Sequence, residues 1–348
     1  MAKQKVTRIV LPKLIIKNPY PMGPQIPEKI RWSVSKAKLF KKCKRKFFWK
    51  YLMHLRHRAK AAPLLVGSYF HEALAEWYRT KRSSMVRIAD RYVKAADKEI
   101  RTACEYYDQY EYDKLTTMLE TLQGMLVGYA TVYQHERKIW IIDREGIEAE
   151  KTIDLGEFDF IFKTDLITKQ QLKNSVKNHL VEHKTASIIP DSYMDKLPLD
   201  TQVRGYIFGA NHPQGLNKKV SEVIYDVVKK CKLRRKSDED VSTFNERIAQ
   251  DYIDRPDFYF FREKLKFNKS DIVAFEFELR QVHAEYMWLI NTLPDSLDPR
   301  YWAPSDFICS EFFKTCPYQL LCLNGLDRGT GSVYEQYIKD EKDAEEEN

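Results

Sequence analysis

Residues 180–185, Leu-Val-Glu-His-Lys-Thr, predict a β-strand that carries charged side chains. Because side chains alternate along a strand, Glu182 and Lys184 share one face and His183 points to the other. A carboxylate and an ammonium at this spacing can work together: the first binds a hard divalent cation, and the second offsets charge on a phosphoryl oxygen. An ordinary cross-strand salt bridge has the same spacing, and the tripeptide alone favours that simpler interpretation.

The strand predicted before it, over 157–167, supplies a second carboxylate. Asp165 lies near its end and is a candidate ligand for the same metal ion. His179, Glu182 and His183 also fit the inverted zincin pattern H-x-x-E-H. That pattern requires a helix, whereas this run is rich in strand-forming residues, so the sequence disfavours a metalloprotease.

Helices and strands alternate around these two strands. Helices are predicted from Ser33 or Ser35 to about Met53, over 66–81 after a break at Ala61-Ala62-Pro63, within 86–137, and over 199–211, 238–251 and 270–291. Strands are predicted over 147–154, 157–167 and 178–185 as a meander, and over 220–232 and 257–266. This order predicts a mixed α/β (α+β) fold in which helices flank a small central mixed β-sheet.

Composition limits the class of protein. The 348 residues are 43% hydrophobic, which suffices for a core and excludes a disordered chain. No apolar run approaches the ~20 residues of a membrane helix. The basic N-terminus lacks the apolar stretch of a secretion signal. We therefore expect a cytoplasmic protein without a membrane partner.

The net charge of +8 is unevenly distributed. Residues 1–60 contain 18 Lys and Arg but one acid, Glu28, whereas residues 335–348 contain seven acids and two lysines. The basic block favours a polyanionic partner, and the acidic end favours a solvated, disordered tail. Aromatic residues interleave with the basic ones, which favours nucleic acid over a merely solvated helix surface. They are Phe40, Phe47, Phe48, Trp49 and Tyr51.

Further motifs follow one another in order along the chain. They are Ser33-Val-Ser35 with Phe40-x-x-Cys43 and Phe47-x-x-x-Tyr51, Gly67-Ser-Tyr-Phe-His71-Glu72, Asp165, Glu182-His-Lys184, Leu199-Asp-Thr-Gln202-Val-Arg-Gly-Tyr206, and Cys309-x6-Cys316-Pro-x4-Cys322. The series resembles the RecB-type branch of the PD-(D/E)XK nuclease superfamily. More narrowly, it resembles phage- and CRISPR-associated exonucleases that carry an iron–sulfur cluster.

The resemblance implies a PD-(D/E)XK restriction-endonuclease-like core with a helical insertion, and it implies roles for the motif residues. Asp165, Glu182 and Lys184 would be catalytic, with Lys184 orienting the attacking water. The cofactor would be Mg²⁺ or Mn²⁺. Its ligands would be His71, Asp165, Glu182 and the main-chain carbonyl of His183.

Two further positions match a DNA-contacting motif. Gln202 and Tyr206 fit the pattern Q-x-x-x-Y, which in the family contacts DNA near the active site. Residues four apart lie on one face of a helix, so both side chains can reach the same strand. The chain departs from the family at Lys163, where the family often has glycine, and at Lys44, where proline usually follows the first cysteine.

The six cysteines are irregularly spaced, and metal ligation fits them better than disulfides. The resemblance implies that four of them hold a [4Fe–4S] cluster that ties the chain ends together: Cys43, Cys309, Cys316 and Cys322. The last three have the spacing C-x6-C-x5-C, where the family has C-x2-C-x5-C. Zn²⁺ suits four thiolates equally well on chemistry alone, and unligated buried cysteines are a third alternative. Cys104 and Cys231 are expected in the core.

These expectations describe a metal-dependent DNA exonuclease, a deoxyribonuclease that hydrolyses phosphodiester bonds of single strands or DNA ends. Phage recombination, host DNA degradation, DNA repair and CRISPR spacer processing stay open as pathways, in the host cytoplasm if the gene belongs to a phage. The alternative is a non-catalytic nucleic-acid-binding protein with a structural zinc or iron–sulfur site. The sequence lacks G-x-x-x-x-G-K-[ST], so we expect no helicase motor within it. A recombination or helicase partner protein stays open. The sequence does not determine the oligomeric state.

The expected organisation has three parts. An extended arm covers 1–30, a single nuclease domain covers 31–334, and an acidic tail covers 335–348. Within the nuclease domain we expect three regions, namely a mainly helical part (31–145), the catalytic sheet with its helices (146–292) and a cysteine-rich cap (293–334).

Overall fold

The computed structural model of the chain describes residues 26–57, 62–80, 83–136, 140–171, 176–310, 315–325 and 337–339. Its helices are α1 (Val34–Lys42), α2 (Lys44–Phe47), α3 (Ala62–Arg79), α4 (Met85–Thr102), α5 (Gln109–Glu120), α6 (Leu122–Val132), α7 (Asp191–Asp195), α8 (Thr201–Asn211), α9 (Val241–Asp254), α10 (Pro256–Tyr259), α11 (Lys269–Thr292) and α12 (Gln319–Asn324). Its strands are β1 (Arg31–Trp32), β2 (Leu55–His57), β3 (Ile141–Ile142), β4 (Ala149–Asp154), β5 (Asp159–Thr164), β6 (Leu166–Gln171), β7 (Val176–Ala186), β8 (Val220–Lys229), β9 (Phe260–Lys266) and β10 (Tyr337–Lys339).

A five-stranded sheet of order β3-β6-β7-β8-β9 forms the centre of the fold. Strands β7 and β8 run parallel, and the other neighbouring pairs are antiparallel. Helices cover both faces of this sheet. Leu180 of β7 belongs to the core shared with α8 and α11, whereas the next residue, Val181, belongs to the core shared with α3 and α6. The predicted mixed α/β fold, with a small mixed sheet between helices, is confirmed.

The strand predicted over 157–167 is in fact two strands that bend at Asp165. β5 pairs with β4 and β1 in a separate three-stranded sheet, and β6 joins the central sheet. The backbone turns at Asp165 because its carbonyl accepts the Glu148 N–H at 3.0 Å and its carboxylate accepts the His183 N–H at 2.8 Å. The predicted single strand was therefore wrong, and the bend places Asp165 between the two sheets.

Helices α4, α5 and α6 form a bundle with α9 on one face of the central sheet. The predicted helical stretch 86–137 contains α4, α5 and α6. Helix α6 lies close against α9 because it presents glycine there: a Cβ on Gly128 would lie 2.6 Å from the Tyr252 Cβ. Asn245 Oδ1 also accepts the Gly124 N–H at 2.6 Å. This close contact fixes α6, which carries side chains that reach the site described below.

The N-terminal helix predicted from Ser33 or Ser35 to about Met53 is interrupted. Ser33 caps α1 by accepting the Lys36 N–H at 3.1 Å. The chain becomes extended at Cys43, and α2 and a π-helical turn over Phe48–Leu52 follow. The predicted break at Ala61-Ala62-Pro63 also differs, since α3 begins at Ala62. Proline needs no hydrogen-bond partner in the first turn of a helix, so Pro63 fits there.

Two predictions for the C-terminal half of the chain differ from the structure. The strand predicted over 257–266 begins with the short helix α10 and becomes extended from Phe260. The expected disordered tail contains β10, which pairs antiparallel with β2, and Tyr337 is buried. The rest of the tail and residues 1–25 of the expected arm lie outside the described residues. Within the described ranges, no helix has the length and apolar character required to cross a membrane.

Candidate active site

His71 of α3 approaches the bend at Asp165. His71 Nδ1 lies 3.3 Å from Asp165 Oδ2. Burial alone would lower the pKa of His71, but the Asp165 carboxylate outweighs it and raises that pKa. Burial likewise opposes ionisation of Asp165, yet His71 and Lys184 hold the pKa of this carboxyl well below its usual range. Asp165 is therefore an ionised carboxylate at the junction of the two sheets.

Glu182 and Lys184 of β7 form an ion pair beside Asp165. Glu182 is 1% exposed, and its Oε1 pairs with Lys184 Nζ. Burial, reinforced by the charge of Asp165, raises the pKa of Glu182 to about 7. Burial acts the other way on Lys184, but the Glu182 and Asp165 carboxylates outweigh it and raise the Lys184 pKa. The three charged groups therefore interact within one site.

Glu148, which no motif indicated, also belongs to this site. One ligand atom each from His71, Glu148 and Asp165 lie within 4.8 Å of one another, and no other three such ligands meet this closely among the described residues. Glu148 has a φ of 49°, and Lys163 Nζ lies 2.6 Å from its Oε2. Glu148 directly precedes β4, the strand that pairs with β5, and this position is the signal that could have identified Glu148 as a candidate ligand.

The His183 ring points away from the carboxylates, as the alternation predicted, into a buried polar network. His183 Nδ1 lies 3.0 Å from Asp226 Oδ2 of β8. Asp226 also accepts hydrogen bonds from Arg262 Nε at 2.9 Å, from Arg262 Nη2 at 3.0 Å and from the Tyr129 hydroxyl at 2.7 Å. Because Asp226 holds the ring, the metal contact predicted for His183 depends on its main-chain carbonyl.

Gln202 and Tyr206 lie side by side on α8, as their spacing predicted. Gln202 Nε2 donates to Tyr206 Oη at 2.8 Å, and Asp200 caps the helix by accepting the Gln202 N–H at 2.7 Å. Burial and the Glu182 charge raise the pKa of Tyr206. The pair therefore lies close enough to the carboxylates to interact with them, on the face of the sheet opposite the His183 ring.

The residues of this site fit a divalent cation. Glu182 Oε2 is buried and has no hydrogen-bond partner among the described residues, although buried carboxylate oxygens are normally satisfied. His71, Glu148 and Asp165 present one imidazole and two carboxylates to a common point. Carboxylates suit Mg²⁺ and Mn²⁺, and an added imidazole is compatible with Mn²⁺.

The four cysteines predicted to bind a cluster come from both ends of the chain and influence one another. Cys43 is buried where α1 meets α2, and the Cys316 N–H donates to the Cys309 carbonyl at 2.8 Å. Burial raises the pKa of the Cys309 thiol, and Cys316 and Cys43 raise it further. Burial also raises the pKa of the Cys322 thiol, again with a contribution from Cys43 and Cys316.

The remaining two cysteines do not both behave as expected. Cys231 is half-buried, with its Sγ 3.8 Å from the Tyr259 hydroxyl. Cys104 is exposed in a short turn after α4, so the expectation of a core position was wrong for this residue.

The basic block at the N-terminus does not present its aromatic rings to a ligand. The five interleaved aromatic residues are at most 7% exposed and belong to the core, because burying their apolar surface outweighs leaving it in water. These rings are therefore not available to stack on the bases of a nucleic acid. Several basic residues of the block neutralise acids elsewhere in the fold: Lys38 pairs with Asp200, Lys41 with Glu278 and Lys44 with Glu285.

Comparison with known proteins links the chain to a protein family and to solved structures. The family model of the PD-(D/E)XK nuclease superfamily matches residues 31–322. Among solved structures, the chain is similar to the crystal structure of a "Putative exonuclease" from Eubacterium rectale, with a TM-score of 0.38 and 12% sequence identity. That match covers 75% of this chain and 79% of the other. The search of curated proteins found no match.

Proposed function

This chain belongs to the PD-(D/E)XK nuclease superfamily, and on that premise we propose that it is a metal-dependent deoxyribonuclease. The observation that supports this most strongly is the state of Glu182. Its carboxylate is buried and one oxygen pairs with Lys184, whereas the other has no partner in the part of the chain that the structure describes. A buried carboxylate oxygen left in this state destabilises the fold unless a cation binds it.

Four side chains would hold the cation: His71, Glu148, Asp165 and Glu182. When bound, a divalent cation polarises the phosphoryl group and makes a water molecule a better nucleophile. Lys163 now neutralises Glu148, so this lysine would have to release the carboxylate. Glu182 would bind in its ionised form, which Lys184 stabilises.

The other residues would act on the phosphodiester and the water. The water oxygen bonds to phosphorus while the bond from phosphorus to the leaving oxygen breaks, and the leaving oxygen gains a proton. Lys184 has three N–H donors and uses one on Glu182, so the others can orient the water or offset charge on the phosphoryl group. Gln202 and Tyr206 would hold the strand beside this group.

The finer parts of the proposal rest on the resemblance of the motif series. We extend it to exonucleolytic action on single strands or DNA ends, in phage recombination, DNA processing or repair, within one nuclease domain over 31–334. The alternative function is a non-catalytic nucleic-acid-binding protein. The presence of every predicted catalytic side chain within one site favours hydrolysis over that alternative.

We further propose that Cys43, Cys309, Cys316 and Cys322 hold a [4Fe–4S] cluster. Besides burial, the Cys43 and Cys316 thiols both raise the pKa of the Cys309 and Cys322 thiols, which supports one group shared by all four. Its ligands connect the two ends of the chain rather than lining the carboxylate site. Zinc held by the same four thiolates is the alternative.

The experiment that tests the proposed function is a cleavage assay on end-labelled DNA. Wild-type protein should degrade the label with Mn²⁺ or Mg²⁺ and stop when a chelator is added. Substrates blocked at the 5′ or the 3′ end, single-stranded and duplex, will separate exonuclease from endonuclease action. DNA binding without metal-dependent cleavage would contradict the proposal and support the non-catalytic alternative.

A further inference from the structure

A second concentration of positive charge lies outside the N-terminal block, in residues 229–236. These residues, Lys-Lys-Cys-Lys-Leu-Arg-Arg-Lys, include six basic side chains among eight and begin at the last residue of β8. We name them the basic strip. Lys232, Arg234 and Lys236 are exposed and form no ion pair with any other described residue. By contrast, lysines of the N-terminal block pair with acids of α11 and the α8 cap.

The acids that follow the basic strip are mostly committed elsewhere. Glu239 is buried and pairs with Arg247 at 2.7 Å. Asp240 caps α9 by accepting the Thr243 N–H at 2.8 Å. Asp238 and Asp240 are exposed, but the strip exposes four basic residues beside them (Lys232, Arg234, Arg235 and Lys236), so its surface keeps a net positive charge.

The basic strip lines a surface groove of about 530 Å³. Arg234, Arg235 and Lys236 form one side of this groove, and residues of α5 and α9 form the other. Arg235 is partly neutralised across the groove, since its Nη2 lies 3.5 Å from Glu120 Oε1. The groove therefore offers basic donors in a concave surface, which suits an anionic chain better than a flat patch does.

The strip begins at the C-terminal end of β8, next to the strand β7 that carries Glu182 and Lys184. Strands β7 and β8 run parallel, and Ala186 lies opposite Lys229. The Lys230 N–H donates to the Ala186 carbonyl at 2.8 Å. Ala186 is two positions after Lys184 and Lys232 is three positions after Lys229, so Lys232 lies within ~20 Å of Lys184. That distance corresponds to about six phosphates of one strand of a duplex at ~3.4 Å each.

We infer that the basic strip binds phosphates of the DNA strand several nucleotides away from the bond that is cleaved. This inference rests on the proposed nuclease function and adds a second contact region to it. Phosphate contacts of this type set affinity without sequence preference. The two arginines can each bind a phosphate with two parallel hydrogen bonds.

The test compares two triple variants that remove the same charge. Lys232→Gln/Arg234→Gln/Lys236→Gln removes the exposed charges of the strip. The control, Lys94→Gln/Lys98→Gln/Arg101→Gln, removes three exposed charges from α4. Fluorescence anisotropy with chelator present would follow binding of a labelled single strand of about 20 nucleotides from about 50 to 200 mM salt.

The strip variant should bind about tenfold more weakly, and the slope of log affinity against log salt should become shallower by about 2, because each lost phosphate contact contributes ~0.7. The control variant should match the wild type in both. Equal slopes for the two variants would overturn the inference. If the strip variant does not fold, Arg234→Gln alone should still shift the slope by ~0.7.

The same measurements separate this inference from the proposed function. If the wild type binds DNA through the strip but does not cleave it with Mn²⁺, the proposed hydrolysis fails and the inference stands. If the wild type cleaves and the strip variant keeps the wild-type slope, the proposed hydrolysis stands and the inference fails.

Discussion

Replacing Asp226 with asparagine tests the buried network behind the carboxylate site. Asp226 is 0% exposed. It accepts two hydrogen bonds from Arg262 and one from Tyr129, and its carboxylate also contacts the His183 ring. The asparagine keeps the shape but removes the charge, so among the described residues Arg262 retains only Glu136 as an acidic partner. The variant should therefore lose stability through an incompletely paired buried cation.

The expected loss can be worked out from the burial of this pair. Breaking a buried ion pair costs about 3–5 kcal/mol. At ~2.1 cal/mol/K per residue, a chain of 348 residues has an unfolding entropy of about 0.7 kcal/mol/K, so the Tm should fall by about 4–7 °C. The double variant Asp226→Asn/Arg262→Gln should lose less than the sum of the single variants, because neither buried charge is left alone.

Thermal melting followed by circular dichroism measures this effect, with Glu222→Gln as a matched control on the same strand. Glu222 pairs with His179 and with the partly exposed Lys177, so its loss should lower the Tm by only about 1 °C. Equal Tm shifts for the two variants at neutral pH would refute the reasoning.

The contribution of Asp226 to stability should also depend on pH. Burial opposes ionisation of Asp226, but Arg262 and His183 hold its pKa well below its usual range. The stabilisation of the fold by the Asp226 carboxylate is therefore complete above the ordinary carboxyl pKa of ~3.9 and is lost as the pH falls below that value.

Three further predictions concern the metal, the cluster and the strand. Glu148→Gln should weaken Mn²⁺ binding at least about tenfold in an EPR titration, whereas Glu150→Gln at the exposed position two residues later should not; equal binding constants would remove Glu148 from the site. Cys309→Ser should lower the iron content and the Tm while Cys104→Ser changes neither, and folded colourless wild type with stoichiometric zinc would contradict the cluster. Tyr206→Phe should slow single-turnover cleavage with little change in DNA affinity; weaker binding at an unchanged rate would make it a remote contact.

The parts of the fold that depend on local pattern could be predicted from the sequence. β7 and α8 form where the residue pattern indicated, since strand alternation and helical spacing are short-range properties. The same alternation correctly separated Glu182 and Lys184 from the ring of His183. The pairing of Gln202 with Tyr206 also followed from spacing alone.

The features that depend on contacts between distant segments could not be predicted. The bend at Asp165 exists because Glu148 and His183, far apart in sequence, both donate N–H groups to it. Glu148 reaches the site through a positive φ that no local propensity indicates for glutamate. For the N-terminal block, charge density suggested a ligand surface, but its acidic partners lie on α8 and α11 and are visible only in the fold.

The most direct test of the proposed function is the single-turnover cleavage rate of Glu182→Gln in Mn²⁺, measured beside Glu222→Gln with protein in excess over labelled DNA. Glu182 is the buried carboxylate with an unpartnered oxygen, whereas Glu222 is a buried glutamate of the neighbouring strand that the site does not use. The account predicts that Glu182→Gln binds DNA like the wild type but cleaves it at least about 10³-fold more slowly, a loss of about 4 kcal/mol in transition-state stabilisation. Glu222→Gln should cleave at nearly the wild-type rate. Cleavage by Glu182→Gln at a rate close to that of the wild type would contradict the account.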